Sequence, residues 1–530
     1  MRNGPIALAL IALTVLVYLP VRGLEFVNYD DPAYVTENPR AARGLTWEGA
    51  ADALTAFENG NWHPVTLLSH MLDVQLFGFR PAGHHLVNLA LHLLNVLLLY
   101  ALLAWTTSRA WPSAGVAALF AVHPLNVQTV AWVAERKSLL STAFWLLALL
   151  AHARWRERPG WKWSLAVLAL AALALASKPM AVTLPLTLYL LDVWPLQTEP
   201  PGTGPKVFRY VRELAPIVAL AAICGALTLH AQQAAHALQS VASYPWSVRL
   251  GNAVVAYVWY LGKLVWPAGL AVFYPHPGTT LAAATVAASA GILAVLAAVV
   301  LWKGSAAPFL RTGFWWYAGT LFPVAGIVQV GSQAYADRYA YVPLLGIFIL
   351  LTWSAARALE NGRPAARRGM ALAFVCWVAA LALATRAQIP YWRDSLSLFE
   401  RAVEVVPDSA VAHNNLGMAL VERSRIAEAA EHFRVAVASA PWDTDARSNL
   451  GNALRVLGKP REALVEYREA LNRRPDDPTI HYNLATALID LGRVDEAGDH
   501  LREALRLDPG YRKAALLMRS LPAARPPLRP

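Results

Sequence analysis

The sequence predicts an all-α protein in two parts: a polytopic transmembrane helix bundle, then an α-solenoid of repeated helix pairs. Three observations carry this reading. Hydrophobic residues make up 56% of the 530 and charged residues only 15%, whereas a soluble domain carries about 25% charged residues. The deficit is uneven: up to about Thr385 long apolar runs alternate with short polar connectors, and after about Tyr391 charges recur every few residues. In that second part Pro407, Pro441, Pro475 and Pro509 follow one another at a spacing of 34 residues.

A spanning helix needs about 20 mostly apolar residues. Runs of that kind lie at 5–21, 84–104, 113–132, 137–154, 163–178, 180–195, 213–231, 281–302, 312–330, 339–357 and 369–387. The first run exits through Tyr18, Leu19, Pro20 and Val21 with no small-x-small site, so it is expected to stay as a span and not be removed as a signal peptide. Basic clusters mark the cytoplasmic side of membrane proteins. Here they fall at 154–162, at 206–212 (Lys206, Arg209, Arg212), at 303–311 (Lys303, Arg311) and at 357–368 (Arg357, Arg363, Arg367, Arg368). Much of the formal charge of +11 sits in such loops, and no nucleic-acid partner is expected.

The clusters at 206–212 and 303–311 must lie on one side, so the stretch 249–267 between them cannot be a single further crossing. It carries Arg249 and Lys263 among Tyr257, Trp259, Tyr260 and Trp266, a composition suited to the membrane interface. The count is then about eleven crossings, with the N-terminus inside and the repeats outside. Twelve crossings is the alternative, and it would move the repeats to the cytoplasm. Connectors 22–83, 232–248 and 331–338 face outside, and the first is long enough for a small subdomain. Cys224 and Cys376 both lie in apolar runs, so no disulfide framework is expected. The expected domains are 1–390 (membrane), 391–521 (repeats) and a disordered Pro-rich tail, 522–530.

The 34-residue period recurs at Asn415-Leu416-Gly417, Asn449-Leu450-Gly451 and Asn483-Leu484-Ala485, at Ala429, Ala463 and Ala497, at Phe433, Tyr467 and Leu501, and at Ala436, Ala470 and Ala504. This is the tetratricopeptide repeat (TPR) signature. Small residues let two antiparallel helices approach, large ones fill the seam to the next repeat, and proline ends each unit. Three full repeats span about 410–511, with a partial helix at 395–406 before them and a cap after Tyr511. Stacked repeats make a concave face. Asn415, Asn449 and Asn483 are candidates to hydrogen-bond a polypeptide there; the alternative is that they serve helix packing.

The most informative local feature is Phe26-Val27-Asn28-Tyr29-Asp30-Asp31, just after the first span. Repulsion and partial desolvation can raise the pKa of one of two adjacent carboxylates, which suits it to take a proton from a hydroxyl acceptor. The pair can also hold a divalent metal, and Asp-Asp-Pro is equally good chemistry for a solvated turn. His84, Asn88 and His92 share a helix face, where polar residues are often functional, although hydrogen bonding between helices explains them as well. Histidines four apart raise a metal reading, but no Cys, Asp or Glu stands at matching spacing. Lys178 at an outside helix end can meet a phosphate or snorkel to the interface. Arg338 can grip a lipid phosphate, or pair with Asp337 or the first loop. No P-loop, dinucleotide fingerprint, GxSxG or CxxC occurs.

An acidic pair in the first outside loop resembles the C-superfamily of membrane glycosyltransferases. More closely, the chain resembles the transmembrane and TPR repeat-containing protein O-mannosyltransferases and their bacterial relatives. The matching pieces are Tyr29-Asp30-Asp31 with Asn38, Trp62-His63-Pro64, His84-His85-Leu86-Val87-Asn88 ending at His92, His123-Pro124, Glu135-Arg136, Ser177-Lys178-Pro179-Met180, Asp337 to Pro343, and the junction Trp392-Arg393-Asp394 with Leu398-Phe399. The animal proteins carry more repeats than the three full ones here.

The resemblance implies a glycosyltransferase that moves a sugar from a polyprenyl-phosphate carrier to an extracytoplasmic acceptor, with Ser or Thr of a protein as one candidate. Asp30 or Asp31 would be the base. Arg338, Lys178, Arg136 and His123 would face the donor phosphate, and the repeats would hold the acceptor polypeptide or a partner. No cofactor is required by this reading, and a divalent metal stays open. The expected location is a bacterial inner membrane with the repeats on the extracytoplasmic side. Two other classes stay in play: a non-catalytic anchor for a TPR adaptor, and an O-antigen ligase or polymerase. A pure anchor would not need so many spans with polar residues inside them, and the ligases usually carry their large outside loop late in the chain.

Overall fold

A computed structural model of the chain describes residues 3–58, 60–198, 213–235, 237–360 and 362–521. The basic cluster Lys206, Arg209 and Arg212 and the tail 522–530 lie outside the described residues. The chain divides into two compact units, Met1–Asp394 and Ser395–Pro530.

In the first unit, the helices that matter below are α1 (Asn3–Tyr18), α2 (Pro64–Phe77), α3 (Pro81–Thr107), α4 (Ala110–Val122), α5 (Arg136–Glu157), α6 (Trp161–Ser177) and α7 (Pro343–Glu360). Several open on proline, whose missing N–H costs nothing in the first turn. By length and composition, six helices among the described residues can cross a membrane: Asn3–Gly23, Pro81–Thr107, Ala215–Ala234, Ala283–Lys303, Pro343–Glu360 and Pro364–Trp392. Helices α5 and α6, of 22 and 17 residues, cover the expected spans at 137–154 and 163–178.

Three expected spans differ from a single straight helix. The run 113–132 breaks at His123, and Ala110–Val122 and Pro124–Ala131 meet at a bend of 54°. The run 180–195 is a 3-10 turn, Pro179–Thr183, followed by a helix of ten residues, Leu184–Val193. The run 312–330 is a helix of 14 residues, Pro308–Leu321, ending in a 3-10 turn. At 1.5 Å per residue the last two helices are about 15 and about 21 Å long, against a hydrocarbon core of about 30 Å. Pro124, Pro179 and Pro323 stand at the interruptions, where proline removes a donor; the first two also push their predecessors, His123 and Lys178, into an extended conformation. Residues 249–265 of the stretch 249–267 lie in one amphipathic helix, Trp246–Val265, that buries Arg249, Asn252 and Tyr260. Among the described residues, β-structure is confined to a small antiparallel pair, Tyr274–Pro275 with Gln333–Tyr335, and to the isolated bridges Glu58 with Asn61 and Leu238 with Val330.

Connector 22–83 contains short helices at Pro39–Ala42 and Trp47–Thr55 and the longer α2. Ala53, Ala56, Leu67 and Met71 form its small core. Elsewhere Gly313 and Gly346 bring Pro308–Leu321 against α7. A Cβ on either would collide with the other's carbonyl, the close approach that small residues permit in membrane bundles.

The second unit is a row of helix pairs from Ser395–Val405 to Arg512–Ser520. Gly417 packs on the ring of Phe433 and Gly451 on that of Tyr467, so small and large periodic positions meet between the two helices of one repeat, where the sequence reading put the large residues in the seam to the next. Two residues after Pro407, Pro441 and Pro475 stands an N-cap: Ser409, Asp443 and Asp477 accept from backbone N–H groups of the next helix.

Candidate active site

Asp30 and Asp31 leave α1 together but take different roles. Asp31 is fully buried. Its Oδ2 accepts from Val27 N at 2.9 Å and its Oδ1 from Ala134 N at 2.9 Å. It clasps the first loop to the segment before α5, so a solvated turn does not describe it. Burial pushes its pKa up to about 7, against the pull of those two N–H donors. Asp30 keeps 31% of its side chain exposed and lies 3.7 Å from Lys137 Nζ.

Beside Asp30 lies a charged cluster centred on Glu135, which is fully buried. Lys178 Nζ donates to Glu135 Oε2 at 3.1 Å and to Ser138 Oγ at 2.6 Å, and the Ser138 hydroxyl donates to Glu135 as well. Arg338 Nε is 3.4 Å and Lys137 Nζ 3.6 Å from Glu135 Oε1. Burial alone would raise the Glu135 pKa, but Lys178, Lys137 and Arg338 overcome it and hold it at about 2.

The local sequence explains these positions. Pro179 pushes Lys178 into an extended conformation at the end of α6. Lys137 sits in the first turn of α5. Arg338 is held by its own backbone N–H, which donates to Gln128 Oε1 at 2.7 Å. Aromatic rings wall the cluster: Arg338 lies over Trp132 and Tyr339, Lys137 over Tyr34, and Tyr29 against Trp132. Ser138, Lys178, Arg338 and Tyr341 line a small cleft. Three cations face two carboxylates, and each cation keeps 13% of its side chain accessible. Such a surplus of positive charge in a low-dielectric wall attracts an anion.

Among the predicted phosphate ligands, Lys178 and Arg338 therefore meet, and they do so on Glu135, not on Asp337. Asp337 instead accepts from Tyr274 Oη at 2.9 Å, and burial raises its pKa to about 7. Arg136 and His123 have other partners. The Arg136 guanidinium is fully buried and bonds Asp73 Oδ2 (2.7 Å), Ser69 Oγ (2.9 Å), the His84 carbonyl (2.8 Å) and Asn88 Oδ1. His123 Nε2 bonds the Leu264 carbonyl at 3.1 Å, and its Nδ1 accepts from Leu125 N. Both residues hold the scaffold: four acceptors engage one, and two backbone groups fix the other.

His85, Asn88 and His92 serve hydrogen bonding between segments. They reach the carbonyls of Glu25, of Val130 and Trp132, and of Ala121, and His92 Nδ1 also meets Tyr341 Oη at 2.8 Å. Sequence reasoning missed Glu135 as the hub and Lys137 as a member. The available signal was a run of charges, Glu135-Arg136-Lys137, wedged between two apolar stretches.

In the repeats, Asn415 Nδ2 donates back to the Val411 carbonyl at 2.8 Å and Asn449 Nδ2 to Asn414 Oδ1 at 2.9 Å. All three ladder positions are half-buried.

Residues 64–198 match the family of the dolichyl-phosphate-mannose-protein mannosyltransferases, and residues 392–443 and 448–512 match the tetratricopeptide repeat. The chain is 33% identical over 196 residues to protein O-mannosyl-transferase Tmtc2 of Drosophila melanogaster, covering 34% of this chain and 21% of that one. It is 31% identical over 191 residues to Tmtc1 of the same organism, covering 34% and 22%. The chain thus spans about a fifth of the length of the curated relatives it matches. The crystal structure of YrrB, a TPR protein with an unusual peptide-binding site, is 21% identical with a TM-score of 0.24, covering 32% of this chain and 89% of that one. The chain is thus similar to the dolichyl-phosphate-mannose-protein mannosyltransferases over residues 64–198 and to the tetratricopeptide repeat over 392–443 and 448–512, and it carries several helices long and apolar enough to cross a membrane.

Proposed function

We propose that the protein is a membrane glycosyltransferase that moves a sugar, mannose by analogy with its relatives, from a polyprenyl-phosphate carrier to a Ser or Thr hydroxyl of an extracytoplasmic protein. The observation that carries this is the half-open Asp30 carboxylate beside a cation cluster pinned by Glu135. In this reading Asp30 takes the proton of the acceptor hydroxyl, whose oxygen attacks the anomeric carbon. The bond from that carbon to the phosphate oxygen breaks, and the phosphate leaves against Lys178, Arg338 and Lys137. Preorganised cations stabilise such a leaving group without reorganisation. Asp31 is a positioning residue, since both of its oxygens are engaged by backbone N–H groups. The repeats hold the acceptor polypeptide and raise its local concentration, which requires them on the same extracytoplasmic side as the first loop.

The test is sugar transfer from a polyprenyl-phosphate mannose by the purified full chain. Asp30→Asn keeps size and removes basicity, and transfer is expected to fall about 10²–10⁴-fold, with normal insertion. Full transfer by that variant would refute Asp30 as the base, and no transfer by the unmutated chain would favour the anchored TPR adaptor.

A further inference from the structure

We propose that His70, Asp73 and His84 form a binding site for a transition-metal ion of the zinc class, separate from the Asp30 cluster and independent of the glycosyl-transfer reading. One ligand atom from each residue lies within 4.8 Å of the other two, and all three residues are buried.

The hydrogen-bond inventory points to a missing cation. His84 Nε2 is 3.0 Å from the Gly78 carbonyl. A carbonyl only accepts, so Nε2 carries the proton, and in a neutral ring Nδ1 then presents a bare lone pair. That Nδ1 faces Asp73 Oδ2 at 3.4 Å and has no hydrogen-bond partner. Two lone pairs facing each other in a buried site repel unless a cation lies between them. His70 is 0% exposed, and neither of its ring nitrogens has a partner. A buried imidazole with two unmade bonds is costly, and a metal ion bound at one nitrogen removes part of that cost.

The second shell is in place for His84 and Asp73. A histidine ligand almost always gives its other N–H to a carbonyl or carboxylate, as His84 does to Gly78. Arg136 donates to Asp73 Oδ2 at 2.7 Å and orients the carboxylate, whose Oδ1 has no donor among the described residues. The ring edges of Phe26 and Phe77 pack on His84, with centroids 5.2 and 6.4 Å away, and keep water out. Two imidazole nitrogens with one carboxylate oxygen suit zinc, nickel or copper, not calcium or magnesium, which take all-oxygen sets. The ion would staple α2 to α3. Through Asp73 and Arg136 it would also brace the start of α5, where Glu135 and Lys137 stand.

The experiment uses the full chain purified in detergent through a tag without histidine, loaded with zinc chloride, desalted and measured by mass spectrometry of the metal. About one zinc per chain is expected. It should fall below about a tenth in His70→Ala and in His84→Ala, and stay at one in His413→Ala, a control in the repeats. Cobalt loading of the unmutated chain gives a second readout that no folding defect can disturb: an intense visible absorption of a low-symmetry imidazole site. Less than about a tenth of an equivalent of metal in the folded, loaded chain overturns the proposal. So does zinc that persists when both His70 and His84 are removed.

Discussion

In the membrane unit, Glu135 is sealed from solvent and holds cations drawn from α5, from the end of α6 and from the last short connector. In the repeat unit, charges pair three residues apart on open helix faces, as Arg425 with Glu428 and Arg493 with Glu496 do. The same chemical pair does different things in the two settings. On an open face the ions trade water for each other at almost no gain. In a buried site each ion has lost its hydration, so it depends on its partner, and removing one strands the rest. Charges held at that cost stay oriented before any ligand arrives, which is what anion binding and leaving-group stabilisation require. The repeat charges keep a surface soluble and carry no such geometry.

The strongest attack on this contrast is Glu135→Gln. The side chain keeps its shape but leaves Lys178, Lys137 and Arg338 without their shared counter-charge. A loss of about 3–5 kcal/mol is expected, read as a lower unfolding midpoint in detergent, together with weaker donor binding. Unfolding at the original midpoint would mean that the cluster is solvated and that its buried character has been misread.

A smaller effect is expected at Asp31. Asp31→Asn keeps one acceptor oxygen and puts its amide donor against one of the two backbone N–H groups that need acceptors, at a cost of about 1–3 kcal/mol. The pH dependence has a definite sign. Burial raises this carboxyl from its ordinary 3.8 to about 7. The folded chain therefore holds a proton that the unfolded chain releases. The contribution of Asp31 to stability is full below the ordinary value and is lost as pH rises through about 7. The Asn variant should flatten that part of the stability profile between about pH 4 and 7. An unchanged slope would assign the dependence to another group.

The repeats were legible because each contact recurs at a fixed offset. Gly417 with Phe433 is repeated by Gly451 with Tyr467, so a period in the sequence is already a packing statement. The charged cluster joins positions 30, 135, 137, 178 and 338, and nothing periodic links them. The sequence marked Asp30, Lys178 and Arg338 by their place beside predicted spans. It could not say that Glu135 would gather the cations, since that depends on three helix ends converging. Nor could it separate Asp31 from Asp30, because the distinction lies in an N–H of Ala134. The broken spans were readable in part: Pro124, Pro179 and Pro323 were visible, but hydropathy weighs composition and ignores lost backbone donors.

The smallest effect tests whether the repeats are uniform in charge. His413 Nδ1 lies 2.9 Å from His432 Nδ1, and His481 Nδ1 lies 3.0 Å from His500 Nδ1. In the repeat between, the equivalent positions hold Arg447 and Glu466, paired at 2.8 Å. His413 Nε2 bonds the Pro407 carbonyl and Arg447 Nε the Pro441 carbonyl, so the imidazole copies the guanidinium's backbone bond. Because His413 Nε2 carries the proton for that carbonyl, its Nδ1 accepts from His432 Nδ1–H. A proton on both rings would set donor against donor. Burial, then the neighbouring imidazole, lowers the pKa of His432 below 6.5, and the same two causes lower that of His500. The sign follows from linkage: stability from these groups is full above 6.5 and is lost as pH falls through the lowered values. The unfolding midpoint of the repeat unit, residues 395–521, should therefore drop between about pH 7 and 5. Replacing both pairs in the pattern of the middle repeat, with His413→Arg, His432→Glu, His481→Arg and His500→Glu, should remove most of that drop. A profile equally steep in the replaced protein would clear the histidine pairs.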